Sequence, residues 1–135
     1  MTMTKRLSVL TLVAGLAGCS FAARSPEMYR KDTEDLLASK NAQVKSCYDD
    51  ALKTNKDLQG KVTIKLLVEH DTGNVTNVAA DPAGTTAPEQ LTKCVVDSLQ
   101  GLVLSPPDKR DGDATFVYDF TVGAPGAATP APAAG

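Results

Sequence analysis

The run from Lys61 to Glu69 constrains the fold most, because Val62, Ile64, Leu66 and Val68 alternate with Lys61, Thr63, Lys65 and Glu69. Successive strand side chains point to opposite faces, so this stretch reads as a strand with one dry face and one wet face. His70-Asp71-Thr72-Gly73-Asn74 follows with turn chemistry, Gly73 being free to take a positive φ. Val75 to Ala80 then forms the second arm of a hairpin. A third strand is predicted from Ala114 to Val122, with Phe116, Tyr118, Phe120 and Val122 on one face and Thr115, Val117, Asp119 and Thr121 on the other.

A half-wet sheet needs a cover, and two helical stretches supply one. Ser25-Pro26-Glu27 opens the first, with serine at the cap and proline at the first position, and the helix is expected to run unbroken to about Thr54. Leu37, Val44, Cys47, Tyr48 and Ala51 line its apolar face. Pro88 opens the second, whose stripe is Leu91, Cys94, Val95, Leu99 and Leu102, with Gly101 as its stop. The order helix, strand, strand, helix, strand gives an α+β domain. Its expected form is a small three-stranded antiparallel sheet with two helices packed on one face.

Residues 1–18 carry a different signal. Lys5 and Arg6 precede an apolar run from Leu7 to Leu16 that is too short to span a bilayer, and Leu16-Ala17-Gly18-Cys19 closes it. This arrangement resembles the lipobox of bacterial lipoproteins. In that family the leader is cleaved before the cysteine, whose thiol carries diacylglycerol and whose amine takes an acyl chain such as palmitate; an ordinary secretory leader is the other reading of the same residues. The resemblance implies a lipid-anchored protein facing the periplasm. Ser20 after Cys19 points to the inner leaflet of the outer membrane. Residues 19–25 then form a tether, residues 26–122 the folded domain, and the Ala/Pro/Gly tail 123–135, which has almost nothing to bury, is expected to be disordered.

Export makes a disulfide the default state of Cys47 and Cys94, the only other thiols. Both sit on apolar stripes, so a bridge between the two helices is expected, and closing a loop of about 47 residues stabilises a fold by roughly 4 kcal/mol. They are poor metal ligands, since structural zinc wants about four donors in close pairs. The formal net charge is −2, and more negative once Lys5 and Arg6 leave with the leader. With no basic stripe, nucleic acid is not a partner the sequence supports.

With these elements placed, Val44 to Val122 resembles the TonB C-terminal domain superfamily, and within it the AgmX/PglI C-terminal-domain group. The likeness rests on Cys47-Tyr48 in the first helix, Gly60-Lys61-Val62 opening the hairpin and Asp71-Thr72-Gly73-Asn74 at its turn. It continues through Cys94-Val95-Val96 in the next helix, Pro106-Pro107 in the following loop and Val117-Tyr118-Asp119-Phe120 in the last strand. Leu102-Val103-Leu104-Ser105 stands where that group often has aromatic residues. The long proline-rich spacer of energy transducers is absent from this sequence. The resemblance implies a last strand at a sheet edge that accepts an extended segment of another envelope protein, which directs attention to Thr115, Val117, Asp119 and Thr121; the other reading of this edge is that it is solvated or covered by the tail.

Enzymatic chemistry has little to stand on. Asp32, Glu34, Asp35, Asp49 and Asp50 are interspersed with lysines and read as a solvated helix face. His70 is the only histidine and lies in a turn beside Asp71. No nucleophile motif, phosphate loop or metal-ligand cluster accompanies it, so no catalytic residues, metal or cofactor beyond the lipid on Cys19 are assigned. The function expected is a non-enzymatic interaction module, a subunit or adaptor of an envelope assembly of the motility or transport type. The alternative is a periplasmic small-ligand binder or an inhibitor of an envelope enzyme, using the groove between helices and sheet.

Overall fold

A computed structural model describes residues 23–122 and 129–133, and the lipobox-like segment with Cys19 lies outside them. Three helices, α1 (Pro26–Ala38), α2 (Asn41–Thr54) and α3 (Glu89–Ser98), accompany four strands, β1 (Gly60–Val68), β2 (Val75–Ala80), β3 (Gly112–Phe120) and β4 (Ala131–Pro132). The strands form one antiparallel sheet in the order β2-β1-β3-β4. The α+β class is as read from the sequence, with one more helix and one more strand.

Alternation in β1 sets the two faces of the sheet. Val62, Ile64, Leu66 and Val68 are buried and oppose Tyr118, Phe116, Ala114 and Gly112 across an uninterrupted ladder with β3. The β1–β2 pairing shifts register between Lys65 and Leu67, and Asn77 absorbs the extra residue with a φ of 52°. Asparagine tolerates this left-handed backbone better than most side chains. Past the end of β2, the loop 81–87 takes over the edge of β1: Asp81 N–H donates to Thr63 O (2.8 Å), and the N–H groups of Thr86 and Ala87 donate to Lys61 O (2.8 and 3.0 Å). In return, Lys61 and Thr63 N–H donate to the hydroxyls of Thr86 (2.9 Å) and Thr85 (3.1 Å). Buried backbone groups are costly unpaired, and this loop meets that demand on the β2 side.

The expected single helix from Pro26 to Thr54 is two helices. Ser25 caps α1, its Oγ accepting from Met28 N–H at 3.2 Å, and Pro26 starts it where no N–H is needed. At the other end Ser39 Oγ donates back to Leu36 O (2.6 Å) and Lys40 N–H bonds Leu37 O (2.9 Å), a tightened turn that ends the ladder. The turn lets α1 pack along β3 and β4 while α2 packs beside α3. Leu37 and Val44, on either side of the break, are both fully buried. Leu91 and Val95 of α3 and Leu99 at its C-cap face the core, and Gly101 turns the chain away at φ 74°.

Beyond α3, Leu102 and Leu104 are buried while Val103 points out, so this short segment behaves as an extended cover over the hairpin turn. Val75 N–H donates to Leu102 O (2.9 Å) and Leu104 N–H to Gly73 O (2.7 Å). A Cβ at residue 73 would lie 2.0 Å from Leu104 O, so the glycine serves both a φ of 71° and a close backbone approach.

Two further expectations change. The last strand ends at Phe120, and Val122 is 52% exposed instead of core-facing, because β1 begins at Gly60 and offers no partner past Phe120. Cys47 is buried on α2, but Cys94 sits at the exposed margin of α3, one position off the stripe carried by Leu91 and Val95. The two are bonded all the same, with an S–S distance of 2.02 Å and a Cα–Cα distance of 5.8 Å. The bridge ties the two helices along their outer seam.

The core holds two tyrosines in opposite situations. Tyr48 Oη donates to Leu58 O at 2.8 Å. Tyr118, fully buried, has no hydrogen-bond partner for its hydroxyl among the described residues, and burial pushes its phenol above the usual range. Tyr118→Phe is therefore expected to leave stability unchanged or raise it by about 1 kcal/mol, and Tyr48→Phe to lower it by a similar amount. Urea titration of the two variants checks this; equal losses would mean that the Tyr118 hydroxyl has a partner.

Candidate functional site: the outer edge of β3

β3 lies between two unequal neighbours. On one side all nine of its residues pair with β1; on the other, among the described residues, pairing is with β4 alone, as Phe116↔Pro132 and Val117↔Ala131, with Ala133 N–H donating to Thr115 O at 3.1 Å. The tail, expected to be disordered, thus returns as a strand at Ala131–Pro132. Backbone pairing needs no apolar side chain, which is why composition did not announce it.

Strand periodicity assigns the edge. Because Thr115 O is engaged on the β4 side, the backbone groups of Thr115, Val117 and Asp119 all point to that edge, while those of Phe116, Tyr118 and Phe120 point to β1. The side chains of Thr115, Val117 and Asp119 lie on the face away from the core, opposite Lys65, Thr63 and Lys61. Lys61 Nζ is 3.5 Å from Asp119 Oδ2, an exposed pair of small energetic value. Thr121 is past the end of the strand and exposed, so the structure brings together three of the four residues expected at this edge.

α1 closes the N-terminal end of the edge. Tyr29 Oη donates to Gly112 O at 2.9 Å, and a Cβ on Gly112 would fall 2.1 Å from the phenol, so only glycine lets the ring lie across the strand. Burial, with smaller contributions from Asp108 and Asp113, pushes the Tyr29 pKa up to about 12. Between α1, the start of β3 and the tail strand lies a cleft of about 940 Å³, its walls including Arg30, Arg110, Asp113, Thr115 and Pro132.

Arg24 fixes one wall. Its Nε donates to Asp32 Oδ2 (2.7 Å), its Nη2 to Pro106 O (2.7 Å) and its backbone N–H to Asp108 Oδ2 (3.2 Å). Burial pushes Asp108 up, but backbone N–H groups of Lys109, Arg24 and Arg110 and the Arg24 charge outweigh it, and the carboxyl ends below its usual range. Sequence reasoning placed Arg24 in the tether and missed this anchor, since its partners are far away in the chain. Asp35, Asp49 and Asp50 of the first two helices form exposed ion pairs, Lys31–Asp35, Lys45–Asp49 and Lys53–Asp50. No cluster of three or more histidine, cysteine or acidic side chains suited to a metal occurs among the described residues.

His70 sits in the hairpin turn, half exposed, with Nδ1 2.6 Å from Asp111 Oδ1 and Nε2 3.5 Å from Asp71 Oδ2. Its backbone N–H also donates to Asp111 Oδ1 (2.8 Å), so the aspartate ties the turn to the start of β3. The hydrogen bond to Asp111, then the charges of Asp111, Asp71 and Glu69, raise the His70 pKa, and Asp111 is lowered in turn. The histidine contribution is fully present below its unfolded pKa of about 6.5 and is lost as pH rises through the raised folded value; that of Asp111 is lost as pH falls through its lowered value. A small decline in melting temperature is expected from pH 6 to pH 8, and His70→Gln should flatten it. An unchanged slope in that variant would assign the decline to other groups.

Neither a family model, a curated protein nor a solved structure matches this chain.

Proposed function

We propose that this chain is a lipid-anchored periplasmic interaction module with a TonB C-terminal-like domain, a non-enzymatic subunit or adaptor of a cell-envelope assembly. The observation that carries the reading is that the outer edge of β3 already accepts an extended segment through backbone bonds, at Thr115 and Val117. Strand addition of this kind draws its affinity from the main chain and its selectivity from alternate side chains. The succession α2, β1, β2, α3, β3 follows the order of the resembled domain, and the Cys47–Cys94 bond suits an oxidising compartment. Cys19, in its lipobox-like context, supplies the anchor, with the outer membrane inner leaflet as the proposed location.

Val117→Pro tests the edge. The Val117 N–H faces β4 and not β1, so proline removes an edge donor while sparing the β1–β3 ladder. Crosslinked purification of the tagged, lipidated protein from its own membranes is expected to retain a stoichiometric envelope protein, and the variant to lose most of it at an unchanged melting temperature. Retention of the partner by the folded variant would refute the edge as the binding element. The 940 Å³ cleft favours a second reading, a periplasmic small-ligand binder or inhibitor of an envelope enzyme, since its size lies within the range of ligand pockets. The groove between helices and sheet proposed for that role is filled by core side chains. Melting-temperature shifts with a metabolite panel, abolished by Arg30→Ala or Arg110→Ala, would favour it.

A further inference from the structure

We infer that the segment Thr129–Ala133 is an in-chain occupant of the β3 edge, and that this edge selects an extended strand in which small residues alternate with proline. The inference rests on the strand-addition reading and adds a competitor to it: a partner strand must displace the tail.

The alternation Pro130-Ala131-Pro132-Ala133 is matched to the register. Ala133 N–H donates to Thr115 O, and Ala131 stands opposite Val117, so by the period of two the two alanine N–H groups face β3. The nitrogens of Pro130 and Pro132 then face away, where they have no hydrogen to offer. The tail strand thus pairs inward with its alanines and presents proline outward, which blunts the new edge against another strand. A tail shifted by one residue would turn the prolines toward β3 and lose both donors, so the alternation also specifies register. Pro130 is buried and Pro132 stands opposite Phe116 beside α1, whereas Ala131 shares the outer face with Val117. Small side chains suit this site because Tyr29 and α1 lie close to the start of β3.

The occupant is held by few bonds and by its tether. Joined to β3 through a short connection, the tail has an effective concentration on the order of mM, so a free segment at µM concentration does not displace it unless it binds better. A partner strand has room to bind better, because β3 offers nine residues and β4 pairs with two of them. The apparent affinity of any partner is lowered by the fraction of molecules whose tail is off the edge.

The test uses the full-length chain and the double variant Ala131→Pro, Ala133→Pro, which removes both inward donors and leaves the core untouched. Two readouts are taken: hydrogen exchange at the Val117 amide, and fluorescence polarisation of a labelled synthetic peptide spanning residues 127–135. The double variant is expected to exchange the Val117 amide at least tenfold faster than the parent, to bind the peptide at least tenfold more tightly, and to regain protection when the peptide is added. Equal exchange rates in the two proteins, or equal peptide affinities, would overturn the inference. A copy of the peptide with Ala131→Pro and Ala133→Pro should not bind, and its binding equally well would also overturn it. The partner capture described above fails independently: loss of that capture with these results intact would remove the partner and leave the tail on its edge.

Discussion

Replacing Cys47 and Cys94 with alanine is expected to lower the free energy of unfolding by about 4 kcal/mol, from the chain entropy released when a 47-residue loop opens. The loop contains the whole β1–β2 hairpin and the path into α3, so in the unfolded chain the bond excludes every conformation that separates α2 from α3. Small domains have about 5–15 kcal/mol in total, and the loss would take a large share of it. Reduction of the parent protein separates this effect from packing, because it opens the loop while keeping both sulfurs. The exposed position of Cys94 gives a reductant access, whereas Cys47, at 6% exposure, is core material whose truncation adds a cavity cost. Urea titrations with and without a phosphine reductant should therefore show a lower midpoint and a steeper dependence on urea in the reduced protein, since its unfolded state is less compact. A shift below about 1 kcal/mol on full reduction would count against the loop-closure account.

Phe120→Ala is the second large effect, expected to cost about 3–5 kcal/mol. The ring is fully buried at the end of β3, 5.0 Å from the Tyr48 ring on α2 and 6.4 Å from Tyr118 on its own strand. It stands opposite Gly60, which has no side chain to close the space left behind. Truncation thus opens a cavity where α2, β1 and β3 meet and also removes an aromatic contact with Tyr48 of roughly 0.5–1.5 kcal/mol. Urea unfolding of the oxidised variant measures it, and a loss under about 2 kcal/mol would mean that the site collapses around the alanine. Combined with removal of the disulfide, the two losses approach the whole stability of an ordinary small domain, and the combined variant is expected to be largely unfolded at 25 °C.

The elements that carry these effects were legible from local pattern. Period-two alternation marked β1 and β3, the Asp71-Thr72-Gly73-Asn74 turn marked the hairpin, and the apolar spacing of Leu91, Val95 and Leu99 marked α3. Three of the four residues read as an edge, Thr115, Val117 and Asp119, do direct their backbone outward from β1. The helix break at Ser39–Lys40 was not legible, because Leu37, Val44 and Cys47 keep a continuous helical spacing across it. Nor was the exposure of Cys94, which the same spacing placed with Leu91 and Val95.

Side-chain pattern along the chain marks which residues form strands and helices and which face of each is dry, since burial leaves a periodic trace in side-chain type. Which elements lie side by side emerges only in the folded chain: Arg24 on Asp108, His70 on Asp111, and the Ala131–Pro132 strand on β3. The physical reason is that lateral pairing is made by backbone groups and by charges far apart in the chain. Every residue but proline carries the same backbone donor and acceptor, so the pairing leaves no periodic mark except where proline removes a donor, as it does in the tail.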